Sequence, residues 1–153
     1  MADPDRSISF WVVVAFLAVF LVLLLAGQTM AIVDYELAVS LGLQEDESEV
    51  GAFGVAMNKA FGAGDTVVYV PLIVASLAGL FLRKRWAVVT TAAVMGISAY
   101  WASTVAFLFW FLPGTPGYTL EPGLEYAVFM GAFILFGVCG LVYLVIRGDR
   151  LVR

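Results

Sequence analysis

The amino-acid sequence predicts an all-α integral membrane protein whose four transmembrane helices form an up-down bundle. Its composition indicates the class, because 63% of the residues are hydrophobic and only 13% are charged, whereas about half and about a quarter are usual in a soluble domain. The mean hydropathy is +1.01. An α-helix rises about 1.5 Å per residue, so about 20 apolar residues cross a hydrocarbon core of about 30 Å. Four stretches are of about that length or longer, and we expect residues 1–153 to form one domain.

The first span is predicted at about residues 8–33. It follows Ser7 without a charged residue, and no small-residue cleavage motif is present, so the helix is expected to be retained rather than removed as a signal peptide. If the helix runs unbroken to Leu41, its last turns project beyond the lipid. Asp34 and Glu36 are then expected at the outer membrane interface.

A short amphipathic helix is predicted at about residues 47–61, in the first outer loop. The acids of the segment 45–49 suit a helix N-terminus, where they match the helix dipole. Apolar residues then recur at helical spacing, at Val50, Phe53, Met57 and Phe61. Gly62 and Gly64 are expected to end this helix, and Asp65 to cap the next one.

The remaining spans are predicted at about residues 66–82, 86–112 and 122–146. Only a short basic turn, Arg83–Trp86, joins the second span to the third, and a connection of that length makes two helices antiparallel neighbours. The loop from Leu112 to Gly123 is rich in proline and glycine, which is typical of ordered turns.

The distribution of charge predicts the orientation of the chain in the membrane. One side carries nearly all the basic residues: Arg6, Arg83, Lys84, Arg85, Arg147, Arg150 and Arg153. The other side has Lys59 as its only basic residue and holds most of the acids. By the positive-inside rule, both termini and the basic turn are cytoplasmic. We expect a plasma membrane of the prokaryotic type.

Several function classes are excluded by what the sequence lacks. There is no histidine, which removes His-ligated haem, the common catalytic zinc sites and the usual general base. The single cysteine, Cys139, rules out a thiol-disulfide relay within the chain. No nucleotide-binding motif or nucleic-acid signal is present, so we predict no cofactor and no nucleic-acid partner, and an enzyme is not favoured.

Polar residues expected at the outer ends of the helices form the candidate ligand-binding site. Pro71 is expected to bend the second span near Tyr69, Tyr100 needs a partner for a hydroxyl in the outer half of its span, and Lys59 is a natural counter-ion for the acids. The sequence assigns no catalytic residue and leaves a metal site open. The candidates are Gln28, Asp34, Glu36, Lys59, Asp65, Tyr69, Tyr100 and Glu125.

The segment Gly62–Asp65 has the GxGD form found in intramembrane aspartyl proteases, and Asp34 offers a second carboxylate. Those families use more spans, and the glycines are explained as the end of a helix. A short motif outside its structural context is weak, so we assign no family.

Three functions remain open from the sequence. The first is a membrane protein whose acidic, outward-facing mouth binds a cation or an amphipathic small molecule or lipid, with transport as one use of that binding. The second is an accessory or scaffolding subunit that packs against a membrane partner or against copies of itself. The third is a lipid-modifying enzyme that uses carboxylates. In each case the lipid bilayer is the surrounding partner.

Overall fold

The computed structural model describes residues 6–152, which form five helices and no strand. Residues 1–5 and Arg153 lie outside the described residues. Arg153 is one of the basic residues predicted on the cytoplasmic side. The helices are α1 (Ile8–Val33), α2 (Tyr35–Ser40), α3 (Glu47–Phe81), α4 (Trp86–Phe111) and α5 (Leu124–Leu151).

Four of these helices, α1, α3, α4 and α5, are long and apolar enough to cross a membrane. The prediction of an all-α chain with four membrane-length helices is therefore confirmed. The observed α1 and α4 agree closely with the predicted spans 8–33 and 86–112. The last helix begins at Leu124, so Pro122 precedes it rather than opening it.

The second membrane helix differs from the prediction because it begins before the glycines that were expected to separate it from the amphipathic helix. The helix α3 has 35 residues and joins the segment predicted as a separate amphipathic helix to the predicted second span. Gly62 lies against the backbone of α1, where a Cβ atom would approach the Gln28 carbonyl oxygen to 2.4 Å. This glycine therefore permits a close helix contact, as small residues do in membrane bundles. Asp65 is inside the helix and does not cap it.

Both α1 and α3 contain a π-helical segment, at Leu24–Thr29 and at Asp65–Tyr69. The two segments contact each other, and the hydroxyl oxygens of Thr29 and Thr66 lie 2.9 Å apart in a hydrogen bond. A π-helical turn is rare and is found frequently at functional sites. The paired segments fix the position of the first half of α3 on α1.

The first helix does not continue to Leu41. Asp34 adopts an extended backbone with φ −153° and ψ 94°, which ends α1 and begins the short helix α2. The Asp34 carboxylate accepts a hydrogen bond of 3.0 Å from the Leu37 backbone N–H. Asp34 is thus an N-cap residue, a role that its short acceptor side chain suits.

One end of the molecule, which we call the basic end, gathers Arg6, the turn 83–85 and Arg147. There the Arg6 guanidinium donates hydrogen bonds to the carbonyls of Leu80 and Phe81, at 3.2 and 2.9 Å. These carbonyls belong to the last turn of α3, where a cation is favourable. The opposite end, which carries most of the acids, is called the acidic end.

Candidate functional site

A cavity of about 870 Å³ opens among the helices at the acidic end. Its walls come from the second half of α1, the first part of α3, the end of α4 and the beginning of α5, and the loops 42–45 and 112–120 complete it. Most lining side chains are aliphatic or aromatic. The volume is within the range of small-molecule sites, about 300 to 1,000 Å³. We call it the acidic-end cavity.

The floor of the cavity is aromatic. Phe20, Trp101 and Phe129 line it, and they surround the buried ring of Phe133. The Phe133 ring centre lies 4.6 Å from those of Phe20 and Phe129 and 6.4 Å from that of Trp101. Such tilted aromatic packing is stable, so the floor is a rigid apolar surface.

The cavity is about one lipid leaflet deep. On α4 its lining extends from Trp101 to Leu112, a rise of about 16 Å for helical residues. On α1 it extends from Phe20 to Gln28, about 12 Å. Half of a hydrocarbon core of about 30 Å is about 15 Å, so an extended tail of leaflet length fits.

The roof of the cavity is formed where the loop between α4 and α5 meets the first turn of α3. The backbone N–H of Thr119 donates a 2.7 Å hydrogen bond to the Glu49 carbonyl, and the N–H of Leu120 donates to the same oxygen at 3.3 Å. Gly51 bends α3 here with φ 69°, and a Cβ atom on Gly51 would lie 3.0 Å from the Gly117 carbonyl oxygen. The loop is thus an ordered roof.

A hydrogen-bonded group holds the edge of the cavity in place. The Asn58 amide donates to the Glu45 carboxylate at 2.8 Å and to the Tyr35 hydroxyl at 3.1 Å. The Tyr35 hydroxyl in turn donates to the Glu45 carbonyl at 2.9 Å. Burial raises the pKa of Tyr35 above its ordinary value, so the phenol stays protonated and keeps this donor.

Two polar atoms on the cavity wall have no hydrogen-bond partner within the described part of the chain. They are the Gln28 side-chain oxygen Oε1 and the Tyr118 hydroxyl, and both are buried. Buried polar atoms are nearly always paired in folded proteins. Burial, together with the negative charge of Glu45, also raises the pKa of Tyr118. These two atoms are unsatisfied polar groups on residues that line the cavity.

The charge on the cavity wall is negative. Glu45 and Glu125 line it, and the lining residues include no lysine or arginine. We define the polar rim as the polar lining residues that lie toward the acidic end: Gln28, Glu45, Asn58, Tyr118 and Glu125. Among residues 6–152, no group of three or more cysteine, aspartate or glutamate side chains is arranged to hold a metal ion.

Of the residues predicted from the sequence, Gln28 and Glu125 line the cavity. Asp34 and Glu36 are exposed and do not line it. Lys59 is also exposed, and its Nζ atom lies 5.3 Å from the centre of the Tyr35 ring. The lysine is therefore next to the polar rim, in contact with an aromatic ring.

The three other predicted residues are separate from the cavity. Asp65 is 8% exposed, its Oδ2 atom has no partner in the described chain, and it borders a smaller pocket of about 270 Å³. Tyr69 is buried, and its hydroxyl donates to the Val94 carbonyl at 2.8 Å and lies 2.6 Å from Ser98 Oγ. Tyr100 is 74% exposed. Tyr69 is thus a packing residue, and Tyr100 faces outward.

Sequence reasoning missed Glu45, Asn58, Tyr118 and Tyr126. Glu45 was interpreted with its neighbours as a helix-capping acid, whereas Asp46 makes the cap: its carboxylate accepts from the Ser48 N–H at 2.8 Å. Asn58 offered a signal, because it is the only asparagine in the chain and adjoins an apolar helix face. The two tyrosines offered none, since Tyr118 lies in the loop after the third membrane helix and Tyr126 lies at the start of the fourth, α5.

No protein-family model matches this chain, and comparison with curated proteins and with solved structures finds no match either.

Proposed function

We propose that this chain is a membrane protein that binds a single-chain amphipathic molecule in its acidic-end cavity. The tail of the molecule lies on the aromatic floor, and its head contacts the polar rim. One observation carries the proposal: an apolar cavity of about 870 Å³ ends in polar groups, two of them buried and unpaired. A molecule with an apolar tail and a polar head satisfies both parts of this surface.

We further propose that the four long helices cross the bilayer as an up-down bundle, with the basic end in the cytoplasm. The basic side chains of α1, the turn 83–85 and α5 support this orientation, since positively charged loops are retained on the cytoplasmic side. The acidic-end cavity then lies within the outer leaflet. Its depth of about 16 Å matches the tail of a molecule in that leaflet.

The packing near the basic end favours binding in one leaflet over transport across the membrane. There α4 and α5 are in close contact, because a Cβ atom on Gly137 would lie 2.8 Å from the backbone of α4. The buried side chains of Leu17, Ile73 and Met95 fill the same region. A path through the bundle would require these helices to separate.

Tryptophan fluorescence tests the proposal, because of the four tryptophans only Trp101 lines the cavity. In a W11F/W86F/W110F variant reconstituted in nanodiscs, we expect 12-bromododecan-1-ol to quench Trp101 and the quenching to saturate at a low mole fraction. A W11F/W86F/W101F variant is the matched control. It keeps only Trp110, which is 78% exposed, and quenching there should rise linearly. Linear, unsaturated quenching of Trp101 would contradict the proposal.

A second pair of variants locates the binding. Val105→Phe places a ring in the cavity, whereas Val89→Phe changes a 70% exposed residue on the same helix. We expect Val105→Phe to weaken saturable quenching at least about tenfold, a loss of about 1.4 kcal/mol, and Val89→Phe to leave it unchanged. Equal effects of the two substitutions would place the probe outside the cavity.

A further inference from the structure

We propose that the acidic-end cavity selects an amphiphile whose head is a protonated amine over one with a neutral or anionic head. This inference rests on the proposed function and adds the charge and hydrogen-bonding class of the ligand. The lining residues, the unpaired acceptor on Gln28 and the aromatic rings in the cavity wall each point to the same head group.

The charges around the cavity complement a cationic head group. Glu45 and Glu125 line the cavity, and no basic side chain does. Asp46 and Glu49 lie at the beginning of α3 beside the roof and add to the negative field, of which Lys59 beside the rim offsets one charge. A cavity with low-dielectric walls and charges of one sign concentrates counter-ions, so a cation is attracted here. A sulfonate or phosphate head would be desolvated beside carboxylates, which is costly.

The hydrogen-bonding groups of the polar rim also favour a head group that donates. The unpaired Gln28 Oε1 atom is an acceptor, and an ionised carboxylate is only an acceptor. The Asn58 amide already donates to Glu45 and to Tyr35. The unpaired Tyr118 hydroxyl can accept as well as donate, so the carboxylates, Gln28 Oε1 and this hydroxyl can all accept hydrogen bonds from donors on the ligand. A primary ammonium carries three donors and no acceptor.

Aromatic rings in the cavity wall also favour a cationic head group. Phe109 and Tyr126 both line the cavity and pack edge to face, with ring centres 5.0 Å apart, and Tyr118 lies in the roof. Aromatic faces attract ammonium groups, and the attraction increases when the cation is desolvated. Carboxylates and rings together bind a protonated amine more tightly than an alcohol of the same length.

Competition among chain-matched amphiphiles tests the inference. Dodecylammonium, dodecan-1-ol and dodecylsulfonate each compete with 12-bromododecan-1-ol in the Trp101-only variant, with every concentration expressed as mole fraction in the nanodisc. We expect dodecylammonium to restore fluorescence at a mole fraction about tenfold below that of dodecan-1-ol. Dodecylsulfonate should require the highest mole fraction.

Charge-neutral variants assign the preference to the cavity. We expect Glu45→Gln with Glu125→Gln to reduce the roughly tenfold preference for the amine to about threefold or less. Asp34→Asn with Glu36→Gln also removes two negative charges, but from exposed positions outside the cavity lining. This variant should keep the preference for the amine. Glu125→Gln alone, at an exposed side chain without a role in the Glu45 hydrogen bonds, gives a partial loss and serves if the double variant does not fold.

The outcomes separate the two proposals. Equal competition by the three amphiphiles, or tighter binding of dodecylsulfonate, overturns the head-group inference while saturable quenching still supports the cavity. The head-group inference is also overturned if the Asp34/Glu36 variant loses the preference for the amine and the Glu45/Glu125 variant keeps it. The negative field would then come from the surface and not from the cavity. Absence of saturable quenching of Trp101 contradicts the proposed function itself.

Discussion

The half of the molecule near the basic end and the half near the acidic end are built from the same helices but differ in how closely these approach. Near the basic end, added Cβ atoms on Gly79 and Gly137 would lie within 2.8 Å of atoms on α4. Near the acidic end, α4 and α5 face the cavity with bulky residues such as Leu108 and Phe129. Small residues bring helices together in membranes, so residue size at facing positions decides which half is closed.

The first half of α3 explains why the half near the acidic end stays open. Gly62 lies against Gln28, and the π-helical segments of α1 and α3 pair beside it, so this part of α3 follows α1. The bend at Gly51 then brings the beginning of α3 to the roof loop. The cavity is the space left between this unit and the ends of α4 and α5.

The largest expected effect on stability is that of Gly137→Leu, in the closely packed half near the basic end. Its Cβ atom would be 2.8 Å from the Ala99 nitrogen and the Met95 carbonyl oxygen. Backbone atoms cannot move aside as a flexible side chain can, so we expect a loss of about 3 kcal/mol in the free energy of unfolding. Thermal unfolding in detergent micelles, followed by circular dichroism, measures this loss.

Gly131→Leu is the matched control for Gly137→Leu. Both glycines are on α5, but a Cβ atom on Gly131 meets nothing within 4 Å. We expect Gly131→Leu to unfold at the same temperature as the parent or above it, because leucine favours a helix by about 0.8 kcal/mol over glycine. A similar loss in both variants would mean that close packing of α4 on α5 does not stabilise the closed half.

A pair of leucine truncations compares the two halves directly. Leu144 is 3% exposed in the core, and Leu108 lines the cavity. Leu144→Ala leaves a new void and is expected to cost about 2 kcal/mol of unfolding free energy. Leu108→Ala enlarges a space that exists already, so its expected cost is below about 0.5 kcal/mol. Equal costs, measured by the same thermal unfolding, would contradict the contrast between a closed and an open half.

The sequence predicted the membrane helices because each one is set by local properties. Hydropathy over about 20 residues is enough to locate a span, and α1 and α4 confirm this. The failures occurred where a contact between distant residues decided the structure. Gly62 was predicted to stop a helix, but it lies inside α3, where the lack of a Cβ atom permits a close approach to the Gln28 carbonyl oxygen. Asp34 has the features of an N-cap residue, and the long hydrophobic run that precedes it concealed this.

The candidate site was less predictable than the fold, because the polar rim is assembled from five separate segments. Gln28 comes from α1, Glu45 from a loop, Asn58 from α3, Tyr118 from the roof loop and Glu125 from α5. Their proximity depends on the bend at Gly51. Charge alone pointed to the acidic end, and it identified Glu125 as well as the exposed Asp34 that the cavity does not include.

A stabilising effect of about 1 kcal/mol, smaller than those of Gly137→Leu and Leu144→Ala, is expected at Asp65, at the junction of the two halves. Asp65 is 8% exposed, and its Oδ2 atom has no partner in the described chain. Burial of an unpaired carboxylate oxygen is costly, so Asp65→Asn should raise the free energy of unfolding by about 1 kcal/mol. Glu36→Gln, which removes a charge from an exposed residue, should change nothing. A lower unfolding temperature for Asp65→Asn would mean that the carboxylate has a stabilising partner. The junction would then hold a charged group that the packing of α1 on α3 requires, rather than one that it tolerates.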